Sequence, residues 1–447
     1  MRKRGIKNEV KIVEAGSEKR TKGYRYFMFL TLFMGYILVY FHRYCPAVIA
    51  LDMQKEFNLT GTLLGVLGSA YFYTYGLMQL PSGLLADSWG PRKTVASFFL
   101  LAAAGSILMG LAPNLGMAIL GRVLVGIGVS TLFVCNFKLL SEWFEPRGFV
   151  IMGGIFMATG GIGAIFSSAL LAWFSNLIGW RMTFVATGMI TLIIATLIYG
   201  FVRNNPQEKG WSSPRISEKC QCGAKVSLLA GVKQVVTARR FWPLSIWCFF
   251  TTGIFFALAG LWAGPYLVHV YGLSKSAVGN ILSILALALI IGSPILSFIS
   301  NYVGRKPIFI GCSLLLLSVF SLFYLFPGRL PQFMLYVLFF CLSLSGTAAG
   351  HVQATVSKEL FPSAVAGTAV GIVNIFPFFG GALFQTIFGV IISYSGHIKG
   401  VYSFNGYQRM FLFCGAGALI SLVAAFYLQE TLHVIEAKKD IKSEVRN

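Results

Sequence analysis

The chain has 447 residues, of which 56% are hydrophobic and 11% charged, whereas a soluble domain carries about a quarter charged residues. A mean hydropathy of +0.74 excludes an ordinary soluble enzyme. The net charge of +21, which in a soluble protein would suggest nucleic acid, has to be read here by its placement.

Residues 1–25 are polar and basic, and the apolar run after them is too long for the core of a cleaved leader. Twelve apolar segments follow: spans 1 to 12 at 26–50, 61–86, 94–112, 116–140, 149–173, 181–201, 241–268, 277–300, 306–326, 332–356, 367–393 and 407–428. Each is long enough for about 30 Å of hydrocarbon. They are continuously apolar rather than alternating, which argues against a β-barrel. The polar stretch 202–240, with Asn204-Asn205-Pro206, Gly210 and Ser212-Ser213-Pro214, separates 26–201 from 241–428, and 429–447 is a second tail. Within the stretch, Val226–Arg240 patterns as a short interfacial helix, with Val226, Leu228, Leu229, Val232 and Val236 on one side.

With the N-terminus inside, 27 of the 36 Lys and Arg fall on the inner side, six on the outer, and three (Arg43, Arg122, Lys138) within spans. This bias predicts cytoplasmic termini in the inner (plasma) membrane, with the positive charge meeting anionic headgroups rather than nucleic acid. Six cysteines (Cys45, Cys135, Cys248, Cys312, Cys341, Cys414) lie in or beside spans, and Cys220 and Cys222 lie in the polar stretch. No disulfide or metal site is expected from them.

The two halves echo each other. Gly83-Leu84-Leu85-Ala86-Asp87-Ser88-Trp89-Gly90-Pro91-Arg92-Lys93 turns the chain between spans 2 and 3, and about 214 residues later Asn301-Tyr302-Val303-Gly304-Arg305-Lys306 does so between spans 8 and 9. Trp143-Phe144-Glu145-Pro146-Arg147-Gly148 and Leu360-Phe361-Pro362-Ser363 repeat at a similar offset. The predicted fold is therefore all-α integral membrane, twelve transmembrane helices in two pseudo-symmetric six-helix bundles. Paired halves around a cavity suit alternating access. Small residues at close helical spacing (Gly126 with Ser130, Gly161 with Ser167 and Ser168, Gly367 with Gly371) suit tight helix packing in lipid.

Over nearly its whole length the chain resembles the major facilitator superfamily. The loop Gly83-x-x-x-Asp87-x-x-Gly90 with Arg92 and Lys93 is similar to the signature between spans 2 and 3, with Ser88 where a basic residue is usual and Pro91 before the basic pair. Arg122-x-x-x-Gly126-x-Gly128 resembles the fourth-span signature, and Gly179-Trp180-Arg181 and Glu359-Leu360-Phe361-Pro362 are similar to further family positions. The resemblance implies secondary transport. It also implies a conformational latch built from Gly83, Asp87, Gly90, Arg92, Lys93 and Arg122.

A charge inside a span is costly unless it faces water or a partner, so Arg43 leads the candidates for substrate contact. Tyr40-Phe41-His42-Arg43-Tyr44-Cys45-Pro46-Ala47 resembles the first span of organophosphate antiporters and anion:cation symporters, in which an arginine here meets an anionic substrate. A guanidinium suits that work through its permanent charge and planar fork. The likeness stops short of a second arginine in span 7, where Phe255–Trp262 has no cation. It also stops short of the acids expected before Arg43 and in span 4, where His42 and Val129-Ser130-Thr131 stand. His42 is the first candidate proton carrier, since histidine titrates near neutrality, and His351 is the second. Tyr71, Tyr75 and Gln79 share one face of span 2. Asn136 and Lys138 on span 4, and Trp262, Tyr266, Gln353, Asn374 and Gln385 in the second half, complete the expected lining.

No phosphate loop, nucleophile elbow, zinc motif or EF loop is present in the sequence, so neither an enzyme nor a cofactor is expected. The expected protein is a monomeric proton- or solute-coupled carrier of a small organic molecule, more readily an anion than a cation. The alternatives are a neutral or zwitterionic cargo, and a transporter-like sugar-phosphate sensor that signals through 202–240.

Overall fold

Backbone amides immersed in hydrocarbon must bond within their own segment, so a chain this apolar folds as helices. The computed structural model describes residues 2–211, 228–398 and 401–432. Spans 1, 3 and 4 are Gly23–Tyr44 (the apolar part of a helix starting at Arg2), Pro91–Leu111 and Leu115–Trp143. Span 2 is Gly61–Leu77 continued by Gln79–Ser88. Spans 5 and 6 lie in Ile151–Phe201, which reverses at Gly179, where φ is +77°. Spans 7 to 12 are Phe241–Tyr271, Lys275–Val303, Arg305–Leu325, Gln332–Glu359, Val365–Tyr394 and Phe404–Phe426. This is the expected all-α membrane fold of twelve spans. Pro46 ends the first helix and begins a second, Pro46–Glu56, as an imino acid without an N–H must.

Helix ends are secured differently at the two faces of the bundle. At the end away from the termini, spans 2, 4, 8 and 12 start on Thr60, Asn114, Ser274 and Ser403, whose side chains accept from the backbone three residues on. At the termini end the two echoed turns serve. Gly90 (φ +81°) and Gly304 (φ +97°) adopt a conformation closed to other residues. Asn204, just past span 6, accepts from the Arg92 N–H at 3.0 Å. Glu430, just past span 12, accepts from the N–H groups of Arg305 and Lys306, each at 2.9 Å. In both halves, then, a side chain beyond the last span caps the third.

Some expectations change. Gly126 does pack tightly: a Cβ there would fall 2.2 Å from Thr74 Oγ1. Gly161 meets Ile290 of the other half, and Gly367 faces open space. The linker helix is Leu228–Val236, and it rests on protein: Val235 is fully buried while Leu229 is 82% exposed, and Gly231 approaches Val365 and Thr368 of span 11. Val226 lies outside the described residues, as do Cys220 and Cys222. The other six cysteines are unbridged. A two-stranded hairpin, His397–Ile398 with Val401–Tyr402, joins spans 11 and 12 and was not expected from the sequence.

Burial raises the pKa of the Glu430 carboxyl, but donation from the N–H groups of Arg305, Leu432, Lys306 and Thr431 outweighs it and leaves the group below its ordinary value. A lowered carboxylate pKa stabilises above the unfolded value of about 4.3, and that stability is lost as pH falls through the lowered value. Glu430→Gln is expected to cost about 1 kcal/mol, the usual worth of a cap. Melting curves from pH 7 to pH 3 should show wild type and variant converging on the acid side.

Candidate functional site

The site is built where the two bundles meet. Spans 2 and 11 run against each other: a Cβ on Gly65 would lie 2.5 Å from Gln385 O, and one on Gly389 2.3 Å from Gly61 O. Spans 5 and 8 meet on the other side, where the Ser168 and Ser283 hydroxyls are 2.9 Å apart. The end away from the termini is closed. A Cβ on Gly264 would sit 1.6 Å from Ala47 O. Gln54 Nε2 donates to the Tyr402 hydroxyl at 2.8 Å, Thr62 N–H donates to Ser393 Oγ at 3.1 Å, and Lys275 pairs with Asp52. At the termini end, Asn374 Nδ2 donates to Gln79 Oε1 across the joint at 2.9 Å, while Gly83 and Gly367 face open space.

Arg43 lies at this joint, 4% exposed. Its guanidinium is 4.7 Å from the Tyr40 ring centroid, 4.9 Å from Tyr75, 5.1 Å from Phe378 and 5.5 Å from Phe256. The rings come from spans 1, 2, 7 and 11, so both halves hold it. Aromatic faces attract a cation without neutralising it. Among the described residues no carboxylate reaches Arg43, and its Nε is buried without a hydrogen-bond partner.

Beside the cage is a cavity of about 20 Å³ lined by Tyr44, Ser167, Ser168, Phe255, Ser343 and Thr347 among others, room for about one water. Three helices that border it carry a π-helical turn there: Phe166–Leu170, Leu258–Trp262 and Leu344–Ala348. Such turns cluster at functional sites because they loosen the backbone ladder and re-aim side chains.

The other expected residues separate into groups. Tyr71, Tyr75 and Gln79 do line the joint: Tyr71 stacks on Tyr75, and Gln79 holds Asn374. Gln385 is fully buried and presses its Oε1, which has no partner, on Gly68. Trp262 donates to Gln385 O at 2.9 Å, which makes it a brace. Tyr266 packs among Tyr271, Phe323, Tyr407 and Phe411 of its own half and not at the joint. Gln353 is buried on span 10.

His42 points the other way from Arg43. Its ring nears Phe184 of span 6, is fully buried, and has no partner at either nitrogen. Asn136, likewise fully buried, has both amide atoms unpartnered. The His351 side chain lies outside the described residues.

The residues expected in a latch make the following contacts. Asp87 pairs with Lys138, Nζ to Oδ1 2.6 Å, and not with Arg92 or Lys93; Lys138 also donates to Ala86 O. Lys138 is thus a partner of the loop, drawn there by the nearest carboxylate. Arg92 Nε donates to Tyr199 O, and Lys93 is exposed. Arg122 is far from this loop in role: it is 1% exposed, donates to His42 O at 2.8 Å and lies over the Tyr71 ring.

The cage residues Tyr40, Phe256 and Phe378 and the cavity residues Tyr44, Ser168, Ser343 and Thr347 were missed from the sequence. Tyr36, Tyr40 and Tyr44 recur every four residues and could have been found by the rule that gave Tyr71, Tyr75 and Gln79.

A family model described as Major Facilitator Superfamily matches residues 32–384 and 258–446. The chain belongs to this superfamily. Among its relatives, the probable galactarate/D-glucarate transporter GarP of Escherichia coli K12 is 23% identical over 93% of this chain and 97% of its own length. The hexuronate transporter of Bacillus subtilis is 26% identical over 62% and 64%. The fold is shared with a bacterial homolog of the lysosomal transporter Spinster in an inward-facing, occupied conformation (TM-score 0.72, 18% identity, 90% of this chain and 96% of that one). It is also shared with a D-xylose-proton symporter (TM-score 0.70, 17% identity, 91% and 99%). The protein is accordingly a multi-pass membrane transporter of superfamily fold.

The Asp52–Lys275 pair is partly exposed, so it contributes less than about 1 kcal/mol and opens at little cost. Asp52→Asn or Lys275→Gln should raise the labelling rate of Ala47→Cys by a membrane-impermeant maleimide up to about fivefold, with no further gain in the double variant. Unchanged labelling in both single variants would remove the pair from the seal.

Proposed function

We propose that this protein is a secondary carrier of a small organic anion of the sugar-acid class, moved by alternating access between two rocking six-helix bundles. The observation that carries the reading is Arg43, a permanent charge held at the joint by rings from both halves, with no carboxylate against it among the described residues. A carboxylate entering the joint would complete that charge through the guanidinium fork. The hydroxyls of Ser168, Ser343 and Thr347 and the amides of Gln79 and Asn374 offer bonds to a polyol. The relatives named for galactarate, D-glucarate and hexuronate support the same class of cargo.

The excess of Lys and Arg at the termini end supports cytoplasmic termini in the plasma membrane, with 202–240 as the cytoplasmic connection between 26–201 and 241–428. The closed face is then the outer one. The cavity is too small for a hexonate, so cargo entry requires the bundles to part at the cytoplasmic end, where Gln79 and Asn374 meet. Asp87 with Lys138, beside Arg92 and Lys93, lies on this side and would change partners when the outer face opens.

The test is binding and uptake of D-glucarate and D-galactonate by protein in liposomes. Arg43→Gln should weaken binding by about tenfold to a hundredfold, the worth of a charge-assisted hydrogen bond. Arg43→Lys should recover only part of it for want of the fork. Ser343→Ala or Thr347→Val should cost about two- to tenfold each. Undiminished sugar-acid binding by Arg43→Gln would end the anion reading, and binding without uptake would make the protein a sensor.

Coupling to protons rests on His42, whose ring is fully buried in this conformation and whose backbone carbonyl accepts from Arg122. His42→Gln is expected to abolish uptake driven by a pH gradient while leaving solute counterflow within about twofold of wild type, because exchange needs no net proton movement. Gradient-driven uptake retained by the variant would assign coupling elsewhere.

A further inference from the structure

Outside the central joint, a groove opens on the outer flank of the second half, at the termini end. It is about 590 Å³ and is lined by Arg239 and Arg240, by Trp242 and Ile246 of span 7, and by Ile420 and Val423 of span 12 with the adjoining Tyr427. Two arginines stand at its rim where the linker helix runs into span 7, and its floor is the apolar flank of spans 7 and 12. Ile420, Val423, Trp242 and Tyr427 are 44%, 50%, 44% and 74% exposed.

We propose that this groove binds one anionic phospholipid, with the phosphodiester against Arg239 and Arg240 and an acyl chain along Ile246, Ile420 and Val423. Three observations converge. The first is charge: among the described residues, neither arginine has a carboxylate within ion-pair distance, and Arg240 is held in place by stacking on Phe361, 5.0 Å from the ring centroid.

The second is polarity along the groove. Guanidinium groups lie at one end, the amphipathic rings of Trp242 and Tyr427 in the middle, and branched aliphatics beyond, which is the order a phospholipid presents from headgroup to tail. Trp242 is fixed by its Nε1 donating to Val236 O at 3.1 Å, so the rim is preformed. The third is placement. The floor is continuous with the exposed apolar faces of spans 7 and 12, so an acyl chain in the groove stays in the bilayer. A water-soluble phosphate would leave that apolar floor uncovered, and for this reason the lipid is the favoured source of the phosphate chemistry.

The site joins the linker helix to spans 7 and 12, and through Arg240 it touches the end of span 10. It is separate from the cage around Arg43 and does not depend on which solute the carrier moves.

The experiment is native mass spectrometry of the full chain released from detergent, titrated with phosphatidylglycerol, phosphatidylcholine or inorganic phosphate. Melting temperature in the same mixtures serves as a second readout. Wild type should retain one phosphatidylglycerol in preference to phosphatidylcholine and be stabilised by it, and phosphate alone should do neither. Arg239→Gln with Arg240→Gln should weaken retention about thirtyfold, roughly fivefold for each arginine. The charge-matched pair Lys209→Gln with Lys358→Gln should leave retention unchanged. Equal retention of the two lipids, equal loss in both double variants, or full stabilisation by phosphate alone would each overturn the proposal. If the arginine variant fails to purify, Ile420→Arg, which blocks the floor and leaves both arginines in place, must abolish retention in its stead, and retention by that variant would also overturn it.

Discussion

An arginine in a hydrocarbon-embedded joint sets the terms for everything around it. Taking a guanidinium out of water costs several kcal/mol even after relaxation. Arg43 meets that cost with ring faces rather than with a carboxylate: Tyr40 and Tyr75 from one half, Phe256 and Phe378 from the other. A desolvated cation–π contact contributes about 2 kcal/mol, so four of them offset the penalty while leaving the positive charge uncancelled. A carboxylate partner would instead have cancelled that charge. Because the rings come from both bundles, any movement that separates the halves also dismantles the cage.

The surrounding architecture joins the halves differently from the way it ties each half together. Contacts between the halves include ring packing, as of Tyr75 on Phe378, and buried hydrogen bonds, as of Gln79 with Asn374. Glycines let main chains touch, as at Gly65 with Gln385 and Gly61 with Gly389. Partly exposed polar pairs such as Asp52 with Lys275 add little energy each. Within each half, by contrast, the third span is capped from beyond the last, by Asn204 in one case and Glu430 in the other. Each bundle is thus tied to itself at its third span, while the two bundles meet closely along spans 2 and 11 and along spans 5 and 8.

Much of this was readable from the sequence. Span count follows from apolar length, and the duplication follows from two charged, glycine-bent turns. Arg43 stood out because an intramembrane charge is expensive, and Gln79 and Asn374, both named from the sequence, touch across the joint. Direction was not legible. His42 and Arg43 are neighbours in sequence, but successive helical residues point about 100° apart. One enters the core of the first bundle and the other faces the second. Arg122 was placed in the latch by family likeness, and the fold puts it against His42 O instead. The aromatic cage was hidden among 40 phenylalanines. The π-helical turns have no compositional mark, and the serines that line the cavity also bond to their own helices, as Ser168 does to Ala164 O, which is what a packing serine does too.

The abutment of Gly264 on Ala47 has a consequence for leakage. A barrier made of side chains opens whenever a rotamer flips, on picosecond to nanosecond scales. Here peptide lies on peptide, with no room even for a methyl group. Such a plug cannot blink; it yields only when a whole helix is carried away, in microseconds to milliseconds. Water and small ions are thereby denied a file of transient gaps along this contact.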